Sequence, residues 1–320
     1  MKAVLIGTAL AALVPTLLGS SFHINLATQV LIAAIFASSY NVLAGWGGLV
    51  SFGHAAFFGA AGYGAALLVL KAGFGHLAAA MLGLAFATVL ACIIGALALR
   101  ATGISFLMIT LALGQILWGL SYRWVSLTGG DNGLTGLKRP ALFGLSLDGA
   151  AAYYYFTLGI ALVAFLSIRR FAGSSLGASL RGTRDQPRRM SALGFNVWLV
   201  RWVAFVYAGF WAGVAGLLFL YYHRFIGPHS LSIAESAEVL LMVILGGAGT
   251  LTGPIVGAAI IVLVRNLISA YVEHWPMLLG VLFLLVIMFV PEGIVPGIAS
   301  RLRALRASGH KAPAEAPPHT

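Results

Sequence analysis

Residues 176–196, LGASLRGTRDQPRRMSALGFN, place Arg181, Arg184, Asp185, Arg188 and Arg189 within one short stretch of a chain that is 60% hydrophobic and 8% charged. The chemistry open to such a cluster is recognition rather than bond-making, because guanidinium groups donate in fixed forks to carboxylates, phosphates and carbonyls. Leu180, Met190 and Leu193 are interleaved with the charges and Gly194 follows them. That pattern fits a short amphipathic helix seated on a partner's surface. It fits equally a solvated loop whose Arg188 and Arg189 meet anionic lipid headgroups. The other candidate is Arg265, beside Asn266 within an apolar run. A charge there is expensive, so it is either functional or a snorkelling or subunit-interface arginine. Asn41, Gln115, Ser38, Ser39 and Thr110 fit either lining a path or hydrogen-bonding neighbouring helices.

Other chemistries find no residues. None of the four lysines stands in G-x-x-x-x-G-K-[ST], so ATP hydrolysis is not expected on this chain. No H-E-x-x-H, G-x-S-x-G or paired intramembrane carboxylate offers a hydrolase site, and the eight histidines are scattered. Cys92, the single cysteine, excludes a disulfide framework and a multi-cysteine metal site; it reads as packing. The sequence pI of about 10.2 raises nucleic acid. The arginines are not interleaved with aromatics on a soluble domain, so topology explains the charge better.

The elements that position these residues are membrane spans. With a mean hydropathy of +0.98 and 40 glycines in 320 residues, the chain has too little polar surface for a water-soluble globule. Apolar runs near 3–19, 24–44, 54–70, 77–99, 104–122, 151–168, 199–222, 237–249, 254–272 and 276–295 match the ~20 residues a helix needs to cross a bilayer. The expectation is an all-α polytopic membrane protein of about ten transmembrane helices. Setting the arginine-rich segment 169–201 in the cytoplasm puts Lys2, Arg100 and Arg301, Arg303, Arg306 and Lys311 on the same side. Lys71, Arg123, Lys138, Arg139 and Arg224 fall outside, which satisfies the positive-inside rule with both termini cytoplasmic. Residues 1–300 then form the transmembrane domain and 301–320 a basic, disordered tail. The opening stretch, MKAVLIGTALAALVPTLLGSS, reads as a first span, with a cleaved signal peptide as the alternative.

Two glycine-rich stretches interrupt the apolar pattern. GWGGLVSFGHAAFFGAAGYG (45–64) contains Gly48, Ser51 and Gly53, and GGAGTLTGPIVGA (246–258) contains Gly247, Gly249 and Gly253. Broken helices at membrane depth are tolerated only where protein or a water-filled cavity satisfies their backbone. They therefore indicate a translocation path, or else close helix packing through small residues. A proton- or ion-coupled carrier would need ionisable groups near the midplane. Every Asp and Glu instead falls in a loop, near a span end or in the tail.

The motifs together resemble the branched-chain amino acid permeases of the LivM-like type. The matching words are YNVLAGWGGLVSFGHAAFFGAAGYGAALL (40–68), SLTGGDNGLTG (126–136), LRGTRDQPRRMSALGFN (180–196), SAEVLLMVILGGAGTLTGPIVGAAI (236–260) and PEGI (291–294). The resemblance implies a subunit of an ABC importer in the bacterial inner membrane, paired with a second homologous permease. It further implies two ATP-binding subunits, which carry the ATP, and a periplasmic substrate-binding protein facing segment 126–136. Arg181 to Asn196 would be the element that couples to the ATPase, with QPRRM standing where many relatives carry an alanine pair. Permeases for urea, short amides and aromatic acids share this likeness. An ATP-independent secondary carrier is the competing reading from another class.

Overall fold

The computed structural model describes residues 20–139, 141–142, 145–268 and 293–297, and isolated positions at 15, 277, 280, 281, 284, 285 and 288. Every apolar run between 24 and 268 folds as helix. The helices are α1 (Ser21–Asn41), α2 (His54–Leu70), α3 (His76–Ala98), α4 (Ile104–Arg123), α5 (Ala150–Gly173) and, after the arginine-rich segment, α8 (Val197–His223), α9 (Ile233–Gly246) and α10 (Gly253–Ile268). The runs at 3–19 and 276–295, and the tail, lie outside the continuously described residues. Five of the described helices are long and apolar enough to cross a membrane, α1 counting with its π-helical extension Val42–Trp46. The chain is thus an all-α polytopic membrane protein. α2, with 17 residues, is about 25 Å long and α9, with 14, about 21 Å; both abut a glycine break.

α1 and α8 form the buried centre, with Tyr40, Phe205 and Leu43 fully enclosed. α3, α4 and α5 stand outside them and expose Phe86, Ile93, Met108, Ile116 and Val163. With lipid as the solvent these apolar faces need no cover. Small residues set the central distances. Gly216 of α8 lies against the Phe58 carbonyl of α2, where a Cβ would collide with it. Lipid supplies no hydrophobic drive between helices, so such close approach is what holds them together.

Outside the helices, the segment between α4 and α5 is tied by short strands. β1 (Leu134–Thr135) pairs antiparallel with β4 (Phe225–Ile226), and β2 (Ala141–Leu142) with β3 (Leu145–Ser146). Arg139 clamps this end. It donates to the carbonyls of Tyr221 and Tyr222, at 3.2 and 3.1 Å, and stacks 4.5 Å above the Tyr153 ring. Burial, and then the like charge of Arg224, lower its pKa from the ordinary value.

The arginine-rich segment is two helices, α6 (Ser175–Asp185) and α7 (Pro187–Ala192). The expected insertion 169–201 is shorter as folded, since α5 continues to Gly173 and α8 starts at Val197. Ser174 caps α6 through the Gly177 amide, and Asn196 caps α8 through the Leu199 amide. Gln186 leaves the helical region, with φ −146° and ψ +82°, as the proline after it requires, which separates the two helices. Gly194 ends α7 with φ +87° while the Phe195 amide reaches back to the Met190 carbonyl, a Schellman closure that glycine permits.

Candidate functional site

The two glycine breaks meet each other, and α6 meets them both. Asn41, the last residue of α1, accepts from the Gly249 amide through Oδ1 and donates to the Thr250 carbonyl through Nδ2, each at 2.8 Å. Trp46 donates from Nε1 to the Gly249 carbonyl at 2.8 Å. Two side chains of the first break thereby satisfy three backbone groups of the second, as buried irregular backbone requires. The fit leaves no room for a side chain at Gly45, where a Cβ would strike Asn41 Oδ1 and the Gly249 amide. Gly249 itself has φ +81° and Gly247 φ +115°, conformations that favour glycine.

Arg184 completes the junction. Leu180 and Arg184, four apart on α6, share the face turned into the bundle. Leu180 is fully buried in the main core, and Arg184 donates from Nη1 to the Gly45 carbonyl at 2.6 Å. Its stem covers Gly48, whose φ of +65° and missing Cβ make the space. Its contact with Asp185, at 3.8 Å and half-exposed, adds little. Arg181 donates to the Ala172 carbonyl at 2.9 Å, and Arg201 of α8 to the Thr183 carbonyl at 2.6 Å, so α6 is fastened at both ends.

The remaining sequence candidates separate into groups. The Ser51 amide donates to the Tyr40 hydroxyl at 3.1 Å, and Gly53 lies against the Thr110 carbonyl of α4. Gly253 starts α10, its amide donating to Thr250 Oγ1 at 3.0 Å. Gly246 and Gly257 bring α9 and α10 into direct backbone contact: a Cβ on Gly257 would meet the Met242 carbonyl. Gln115 is half-buried on α4, apart from the junction. Arg188, Arg189, Leu193 and Gly194 are exposed beside Phe195, Trp198 and Leu199, which makes a basic and apolar surface. Of the three apolar positions interleaved with the arginines, only Leu193 belongs to that surface. Leu180 is in the core and Met190 packs on Gly182.

Glu238, near the start of its apolar run, is 4% exposed on α9 and pairs with Arg265 of α10 at 3.1 Å, a burial that the sequence pattern does not carry. α9 begins at Ile233, before the apolar run, and carries both Glu235 and Glu238 inward. Sequence reasoning also passed over Trp46 and His54. The latter is fully buried against Phe36 and Tyr40 with Nε2 3.0 Å from Ser39 Oγ, and its position inside SFGHAAFF, next to a break, was the available signal.

These features define a class: a multi-pass α-helical membrane protein with two interrupted helices locked together and a basic helix pair inserted at their junction. Residues 22–291 match the family model described as the permease component of branched-chain amino acid transport systems, and the chain belongs to that family. It is 27% identical over 303 residues to the high-affinity branched-chain amino acid transport system permease protein LivM of Salmonella typhimurium, covering 88% of this chain and 71% of that one. The LivM protein of Escherichia coli gives the same figures. The LivH permease of Escherichia coli is 26% identical over 184 residues, which is 54% of this chain and 59% of its own. No solved structure matches it.

Proposed function

We propose that this chain is the membrane-spanning subunit of an ATP-driven importer for branched-chain or other hydrophobic amino acids, located in a bacterial inner membrane with both termini cytoplasmic. ATP is hydrolysed by two separate ATP-binding subunits that dock on the exposed surface of Arg188, Arg189, Leu193 and Trp198. A second permease of the same family completes the pore, and an external binding protein delivers the cargo to the side of segment 126–136. The similarity to both LivM and LivH supports a pair of unlike permeases, and the branched-chain amino acid transport of both relatives supports the amino acid cargo.

The observation that carries this reading is the bond from Arg184 to the Gly45 carbonyl. It joins the cytoplasmic helix pair directly to the point where both interrupted helices meet. A displacement of α6 by a docked ATPase therefore acts on a junction where side chains of one break hold the backbone of the other. The glycine junction is the moving part, and Arg184 is the lever. Gentle purification of the tagged chain from its native membrane tests the assembly. Recovery with P-loop ATPases and a second permease is expected, and recovery of the chain alone, under conditions that keep it folded, contradicts it.

A further inference from the structure

Glu235 and Glu238 are three residues apart on α9, so both face one side, toward α1, α8 and α10. Arg265 enters the same space from α10 and holds Glu238 at 3.1 Å. Glu235 lies within electrostatic reach of both Glu238 and Arg265, and has His229 at 3.7 Å across the segment that covers this end. Polar groups close the opposite edge: Asn266 donates to Gln29 at 3.2 Å, and Gln29 to the Tyr222 hydroxyl at 3.1 Å. Between them lies a cavity of about 30 Å3 with Arg265 and Glu235 at one end and Phe36, Phe58, Phe219 and Met242 along the wall. A cation, a carboxylate with spare acceptor capacity and an apolar wall are the three complements of a small zwitterion with an apolar side chain.

We propose that this cavity is the closed form of a passage subsite for an α-amino acid, with the ligand carboxylate on Arg265, its ammonium on Glu235 and its side chain against Phe36, Phe58 and Phe219. The subsite rests on the transport reading above. The cavity has room for one or two waters, far less than an amino acid. Entry therefore needs α9 and α10 to part from α1 and α8, the helices whose far ends meet at the glycine junction. When empty, Arg265 and Glu238 neutralise each other, so no unpaired cation is left buried. An arriving carboxylate replaces Glu238 as the partner of Arg265. The exchange ties opening to the presence of cargo.

The test is leucine uptake into proteoliposomes holding the purified assembly, with ATP and leucine-loaded binding protein, beside the ATP hydrolysis of the same vesicles. The double variant Arg265→Met/Glu238→Leu removes both charges of the pair together and leaves neither buried alone, the change that buried pairs tolerate best. It should assemble and hydrolyse ATP within about twofold of the parent while leucine uptake falls at least tenfold. Glu235→Gln, which keeps the shape, should lower uptake in the same direction without altering assembly. Parental uptake in the double variant, or in Glu235→Gln should the double variant fail to assemble, overturns the subsite and leaves the pair as structure. A parent assembly that carries no leucine refutes the transport reading itself, and that result is distinct from either.

Discussion

Removing the Arg184 guanidinium should loosen the glycine junction without unfolding the bundle. Arg184→Met keeps the stem over Gly48 and deletes the donor to the Gly45 carbonyl. A hydrogen bond from a charged donor contributes about 1.5–3 kcal/mol. The Arg184 side chain is half-exposed, so water competes for it, and about 1–2 kcal/mol is the fitting range. At about 1.4 kcal/mol per factor of ten, the equilibrium constant that favours docked over undocked α6 should fall roughly 5- to 30-fold. Amide hydrogen exchange in detergent reads this without any partner. Exchange across residues 45–53 and 247–252 should accelerate by that factor, while α3, which has no contact with Arg184, stays unchanged. In the reconstituted assembly the leucine carried per ATP should fall in parallel. The exposed Arg188→Met serves as control and should leave exchange at the junction unaltered. If Arg184→Met left both the exchange and the coupling ratio at parental values, the lever would be refuted.

Three further outcomes follow from the same geometry. Asn41→Leu deletes both bonds to the second break and leaves the Gly249 amide and Thr250 carbonyl buried without partners; a loss of about 2–5 kcal/mol should appear as a lower thermal midpoint of the detergent-solubilised protein. Gly257→Ala should destabilise by about 1–3 kcal/mol because its Cβ meets the Met242 carbonyl, whereas Gly159→Ala on the exposed face of α5 should be neutral or stabilise by about 0.5–1 kcal/mol, measured by the same melts. Reversing the charge at Arg188 and Arg189 together should weaken ATPase co-purification at moderate salt while membrane insertion, read by fractionation, stays intact.

Much of the fold was legible because span formation is a local property. Each apolar run from 24 to 268 became a helix within a few residues of its expected ends, and both glycine-rich stretches became breaks. The sequence also pointed to Asn41, Gly48, Gly249 and Arg184, which the fold brings together. What could not be read was their pairing, since Arg184 meets Gly45 from 139 residues away and Asn41 meets Gly249 from 208. Such contacts depend on how helices dock, and apolar periodicity within one helix carries no trace of that. Glu238 shows the same limit. Its place at the start of an apolar run marks it as near a span end, and only the packing of α10 beside α9 makes it a buried partner of Arg265. Leu180 was hidden differently: a leucine among arginines suits a partner's cleft or the chain's own core, and burial decides for the core.

The most direct measurement is leucine accumulation in proteoliposomes carrying the assembly purified through this chain, with and without ATP on the side of α6 and α7. Uptake that requires ATP on that side, and that falls with Arg184→Met while hydrolysis continues, is the expected result. Leucine uptake by the chain alone without ATP would contradict ATP-driven coupling through α6 and make the chain a carrier in its own right.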